Sequence, residues 1–148
     1  VVAHSSYDVS YDVDAVHVPQ LMDLFASAWW TARRTEAEAR AILAGSDVAV
    51  TVVDRPVDRL VGFARVLTDR TYLAVVLDVI VAPDVRGEGV GAMVMDAVLE
   101  HPWVAGVTSV ELVCRPEVTA FYERWGFTQH VGHSRLMRRT TDVSLIGE

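Results

Sequence analysis

The chain has 148 residues, of which 51% are hydrophobic and 22% charged, and a formal net charge of −7. These values describe one folded domain, residues 1–148, with a sizeable core; they exclude a disordered chain and disfavour nucleic acid as a main partner. A single cysteine, Cys114, rules out an internal disulfide and fits a reducing, cytoplasmic setting.

Residues 7–13 alternate Tyr7, Val9, Tyr11 and Val13 against Asp8, Ser10 and Asp12, which predicts a first strand with one wet face. Pro19 suits the first turn of a helix whose buried stripe is Leu21, Leu24, Phe25 and Ala28. The run Trp29-Trp30-Thr31-Ala32-Arg33-Arg34 breaks that stripe. Thr35 and Glu38 form a capping box, so a second helix starts there and stops at Gly45. Residues 48–53 and 60–67 are the second and third strands, joined by a turn at 54–58. Gly62, inside the third, marks a bulge or a close backbone approach.

The fourth strand, Leu73–Val81, is a continuous apolar run of the kind covered on both faces, broken by one charge, Asp78. Strands two to four read as an antiparallel meander. After Pro83 comes Arg86-Gly87-Glu88-Gly89-Val90-Gly91-Ala92, then a helix that buries Met93, Val94, Ala97 and Val98 and wets Asp96 and Glu100. His101-Pro102 ends it. Residues 107–114 form a fifth strand, parallel to the fourth because it follows a helical crossover. A short helix at 118–125 stops at Gly126. Residues 127–131 and 135–139 suit a last hairpin, and 140–148 a flexible tail. The result is an α+β fold around one twisted sheet. No apolar run reaches membrane-spanning length, and residues 1–6 show no leader pattern.

A glycine turn between a buried strand and a helix is an anion site, because bare N–H groups converge there and glycine lets a phosphate approach the backbone. Residues 87–92 fit the dinucleotide fingerprint G-x-G-x-x-A, with Glu111 at about the right distance for a ribose acid. That fingerprint should follow its strand directly, whereas here residues 82–86 intervene. No G-K-[ST] follows, so a Walker loop is excluded. The same stretch fits R-x-x-G-x-G through Arg86, Gly89 and Gly91. Together with Phe121-Tyr122-Glu123-Arg124-Trp125-Gly126-Phe127, a Y-x-x-x-G-F segment about 30 residues later, it resembles the GNAT N-acetyltransferases over roughly residues 7–139.

The resemblance implies a mostly antiparallel sheet whose parallel fourth and fifth strands splay apart, with acetyl-CoA in the gap. It implies that the backbone of Val79, Ile80 and Val81 pairs with the pantetheine arm. The amides of Arg86, Gly87, Glu88, Gly89, Val90, Gly91 and Ala92 would hold the pyrophosphate. Tyr122 would be the acid for the departing thiolate, and Asp78 or Glu111 the base for a small-molecule or peptide amine. Trp29 and Trp30 lie in the segment that walls the acceptor site in that fold, where aromatics stack on a substrate or hold a cation. A homodimer accords with the family. One departure is Arg115, where many members carry Asn seven residues before the tyrosine.

Other readings of the same residues stand beside these. Asp78 also suits a structural pair with an arginine such as Arg65. Glu111 suits the solvated side of an edge strand, and either Trp suits core packing. Cys114 has no local base and reads as an inert thiol. The histidines include no H-x-x-x-H, so no metal is expected. A non-catalytic module that holds CoA or an acyl-CoA is the alternative function.

Overall fold

The computed structural model describes residues 6–12 and 17–147. Val13, the expected end of the first strand, the terminal segment 1–5 with His4, and Glu148 lie outside the described residues. The chain divides into two compact units, Val1–Leu112 and Val113–Glu148.

The first unit runs β1 (Tyr7–Ser10), α1 (Val18–Ala26), α2 (Glu36–Gly45), β2 (Val48–Asp54), β3 (Arg59–Thr68), β4 (Leu73–Val81), α3 (Val90–Glu100), α4 (Pro102–Ala105) and β5 (Ser109–Glu111). The sheet order is β1-β2-β3-β4-β5; β1 to β4 pair antiparallel and β4–β5 is parallel. This is the expected mixed, mostly antiparallel sheet with helices against it.

The core explains why β3 shows no alternation. Leu60, Val61, Phe63, Ala64 and Val66 are all buried, because both α1 and α3 pack on this strand. Phe63 meets Phe25 of α1 edge to face, with centroids 6.0 Å apart. The helix α2 begins as its sequence dictates: Thr35 Oγ1 accepts from the Glu38 amide at 3.1 Å, and the Glu38 carboxylate accepts from the Thr35 amide at 2.9 Å.

Gly62 is both a close approach and a neighbour of a bulge. Val52 faces Gly62 while Val53 faces Leu60, so β3 carries one extra residue there. A Cβ at Gly62 would lie 2.8 Å from Val90 Cγ1, 3.1 Å from Val94 Cγ2 and 3.2 Å from Val52 Cβ. Glycine is what allows the first turns of α3 to rest on the sheet backbone.

Several expectations need correction. On α3, Met93 is only half-buried and Met95 is fully buried in its place. The first strand does not bury its apolar side chains: Val9 and Tyr11 are 46% and 42% exposed. Among the described residues β1 is an edge that pairs with β2, and Tyr11 instead donates its hydroxyl to the Ala97 carbonyl at 2.8 Å. The fifth strand is three residues long rather than eight, since among the described residues its ladder runs only along Leu73–Val75 of β4.

The remaining corrections lie in the second unit. There a tight turn at Pro116–Val118 leads into α5 (Thr119–Glu123), shorter than the expected 118–125 helix, and Gly126 follows at φ +85°. The last hairpin does not form. The Ser134 amide donates to the Val131 carbonyl around Gly132, but no ladder flanks that turn, and Leu136 and Met137 are 69% and 91% exposed. Two strands without a surface to cover are marginal in water. The tail carries one turn, Val143–Leu145, capped by the Asp142 carboxylate.

Gly62→Ala should therefore cost about 1–3 kcal/mol, the usual penalty of overpacking. Gly45→Ala, at a helix end with nothing within 4 Å, should be neutral or slightly stabilising. Urea unfolding of the two variants beside the parent checks the contrast; equal midpoints for both would show that α3 can shift off β3.

Candidate functional site

Two pieces of backbone in the first unit are poised for a ligand. One is the junction between β4 and α3. A turn at Pro83–Val85 leads into Arg86, Gly87 and Glu88, and Gly89 caps α3 without a side chain. Gly87 and Gly89 both stand at φ +86°, a conformation that L side chains rarely adopt. The first N–H groups of a helix have no intrahelical partner. Among the described residues, those of Gly89, Val90, Gly91 and Ala92 make no hydrogen bond. They add to the positive end of the α3 dipole. Arg86 is exposed at the entry. Glu88, whose charge would oppose an anion, sends its carboxylate to the Tyr7 hydroxyl, which donates to it at 2.9 Å.

The other piece is the edge of β4. The parallel partner covers Leu73–Val75; among the described residues, no strand of the sheet pairs with Val76 to Val81 on that side. On the other side β3 pairs as far as Val81. Here the register shifts: Arg65 faces Leu77 and Phe63 faces Ile80, so Asp78 and Val79 together oppose Ala64. Asp78 sits at φ +55°, in the left-handed region, in the middle of a strand. Val79, Ile80 and Val81, the expected pantetheine contacts, follow directly.

Asp78 is held from two directions. Arg34 clamps it with both terminal nitrogens, at 2.6 Å to Oδ2 and 3.0 Å to Oδ1, and Arg65 Nε donates to Oδ2 at 2.6 Å. The carboxylate side chain is only 5% exposed. Burial pushes its pKa up, but the hydrogen bonds and charges of Arg34 and Arg65 outweigh it and hold it below the usual carboxylate range. The structural pair with Arg65 is present, and Arg34 joins it. Such a carboxylate is a poor proton acceptor at neutral pH, because its lone pairs are engaged and its proton affinity is lowered.

The sequence offered no pairing signal for Arg34, which lies 44 residues from Asp78. Its placement comes from Thr31, fully buried, whose hydroxyl donates to the Phe25 carbonyl at 2.7 Å and folds the chain after α1. The Arg34 guanidinium then lies 4.8 Å above the Phe25 ring. Trp29 and Trp30, on the same turn, meet edge to face and are 48% and 40% exposed, so neither is a fully buried core residue. Glu111 ends β5 opposite Val75, exposed.

In the second unit Tyr122 lies against Phe121 and Phe127, with centroids 4.9 Å and 6.1 Å away. Among the described residues its hydroxyl has no hydrogen-bond partner. Burial, and to a lesser degree the nearby Cys114, push its pKa up to about 12. Burial also pushes the Cys114 thiol up, helped by Glu117, which suits an inert thiol.

Comparison with known proteins gives a consistent picture. Residues 44–129 match the model of the acetyltransferase (GNAT) domain. The chain is 29% identical over 114 residues to the uncharacterised N-acetyltransferase ycf52 of Porphyra purpurea, covering 76% of this chain and 65% of that one. It is 34% identical over 116 residues to serotonin N-acetyltransferase 2, chloroplastic, of Oryza sativa subsp. japonica, covering 74% and 56%. The chain thus spans less than two thirds of the length of these relatives. A solved structure of a putative GNAT-family acetyltransferase from Xanthomonas campestris pv. campestris superposes with a TM-score of 0.76 at 29% identity, over 91% of this chain and 93% of that one.

The Asp78 cluster carries a pH signature. Because the folded carboxyl titrates below its unfolded value near 3.9, its stabilisation is complete above that pH and is lost as pH falls through the lower folded value. Asp78→Asn should cost about 3 kcal/mol at neutral pH, and the gap from the parent should close below about pH 4. Urea unfolding over that range tests this; a gap that stays constant would remove the charge from the account.

Proposed function

The chain belongs to the GNAT acetyltransferase family, and from that premise we propose that it transfers an acetyl group from acetyl-CoA to a primary amine by direct attack in a ternary complex. The carrying observation is the β4–α3 junction: free N–H groups at a helix start, one short turn after a strand whose far edge carries no partner strand among the described residues. A thioester that carries a diphosphate and an amide-rich arm complements both. The amides of residues 86–92 would take the pyrophosphate, with Arg86 adding charge and Gly87 and Gly89 clearing the approach. The edge at Val79, Ile80 and Val81 would pair with the arm. The exposed Trp29 and Trp30 suit contact with an acceptor, cationic on arrival or aromatic. One relative is named for acetylating serotonin, which supports an amine nitrogen as the acceptor.

The chemistry balances without a dedicated strong base. A neutral amine forms its N–C bond to the carbonyl as the C–S bond breaks; the proton the nitrogen sheds equals the one the sulfur gains. Holding both reactants together is the main contribution, and backbone donors would stabilise the oxyanion. Asp78, held by two arginines, is removed from the role of base. Exposed Glu111 or water would bring the amine to its neutral form.

Tyr122 is proposed as the donor to the departing sulfur. With a pKa of about 12 it stays protonated at neutral pH. Full transfer from that phenol to a thiolate whose acid titrates near 8.5 is uphill by roughly 5 kcal/mol. Tyr122 therefore gives a hydrogen bond, and the proton itself reaches sulfur from the nitrogen through water.

The alternative, a binding module that holds acetyl-CoA without turnover, draws on the engaged state of Asp78. Release of free CoA with a panel of primary amines, serotonin among them, separates the two: binding without release across the panel favours the module. Gly89→Val should abolish acetyl-CoA binding by calorimetry, since a β-branched residue cannot sit at its φ. Tyr122→Phe should lower kcat by roughly 10²-fold, the scale for losing one preorganised donor to developing charge, with acetyl-CoA affinity unchanged. An unaltered kcat, where chemistry limits the rate, would take the donor role from Tyr122.

A further inference from the structure

We propose that Arg34 is a positioning residue that couples the segment after α1 to the bulge of β4, so that a ligand on the β4 edge is felt at Trp29 and Trp30. The inference rests on the proposed binding of acetyl-CoA at that edge. A non-glycine residue at positive φ inside a strand persists only where its surroundings over-determine it. Asp78, at φ +55°, is over-determined by three charge-assisted hydrogen bonds.

The two partners differ in kind. Arg65 belongs to β3 and moves with the sheet; its Nη1 is 3.4 Å from Ser46 Oγ. Arg34 reaches in from outside the sheet. Its fork spans both carboxylate oxygens, its Cζ lies 4.8 Å from the Phe25 ring centroid, and its amide closes a turn on the Thr31 carbonyl at 3.1 Å. A planar fork on two oxygens transmits orientation as well as distance. Any change in the peptide planes at Asp78 and Val79, where a ligand on the β4 edge would pull, therefore turns the carboxylate and with it the turn that carries Trp29 and Trp30. The remaining carboxylate near Arg34, that of Glu38, is committed to the start of α2.

The test uses the full chain with acetyl-CoA, reading affinity by calorimetry and amide hydrogen exchange by mass spectrometry. In the parent, acetyl-CoA should slow exchange both in residues 76–82 and in residues 27–34. Arg34→Met keeps the stem over Phe25 and loses the fork. It should bind acetyl-CoA about tenfold more weakly, as for loss of a charged hydrogen bond, and protect 76–82 only. Arg34→Lys, which keeps a charge without the fork, should fall between the two and decides the matter if the Met variant does not fold. A merely structural arginine would lower the melting temperature and leave both readouts as in the parent; that result, in whichever variant folds, overturns the coupling alone. Failure of the parent to bind acetyl-CoA overturns the proposed function, and the coupling with it.

Discussion

One carboxylate held by two guanidiniums organises this structure. Asp78 interrupts an otherwise apolar strand, and burying a lone charge there would be very costly. Arg34 and Arg65 remove that cost and in doing so fix a backbone conformation that the strand would otherwise avoid. The bulge realigns the register of β4 against β3, and the residues after it run on beyond the reach of β5. The course of the β4 edge beyond Val75 is thus shaped by an ion cluster that Arg34, next to Phe25 of α1, helps to build. A residue that looks like a catalytic base in the sequence has its carboxylate engaged by Arg34 and Arg65.

The same cluster shows where reading a sequence stops. The anomaly at Asp78 was visible, because a single charge in a nine-residue apolar run demands a partner, and Arg65 was a reasonable one. Arg34 was not visible, since nothing in a local pattern says which of 13 basic residues will fold back across 44 positions. Nor does a side chain announce a positive φ. By contrast, the capping box at Thr35 and Glu38 and the turns that fold β2 to β4 into a meander are decided within a few residues, and they were legible; a glycine inside a strand marked the close approach at Gly62 without naming Val90 and Val94 as its neighbours. The fifth strand and the last hairpin misled because apolar alternation states only what could pair; whether a neighbour is present is a property of the whole sheet.

The glycine turn before α3 illustrates a different division of labour. Its backbone carries the donors, and its side chains are kept out of the way. Glu88 would repel an anion, yet it is tied to Tyr7 on β1. That hydroxyl, raised in pKa by burial and by its bond to Glu88, stays a donor throughout the neutral range. A charge that composition alone would count against the site is thereby held to one side.

The absence of a side chain at Gly62 has a consequence for the energetics of recognition. With Val90 and Val94 resting against the β3 backbone, α3 has little freedom to slide or tilt. Its uncapped first turn is therefore fixed by packing against the sheet. Much of the ordering entropy that a flexible loop would lose on association has already been spent in folding. A single missing methyl group, some distance from the amides it steadies, thus bears on affinity through preorganisation and not through contact.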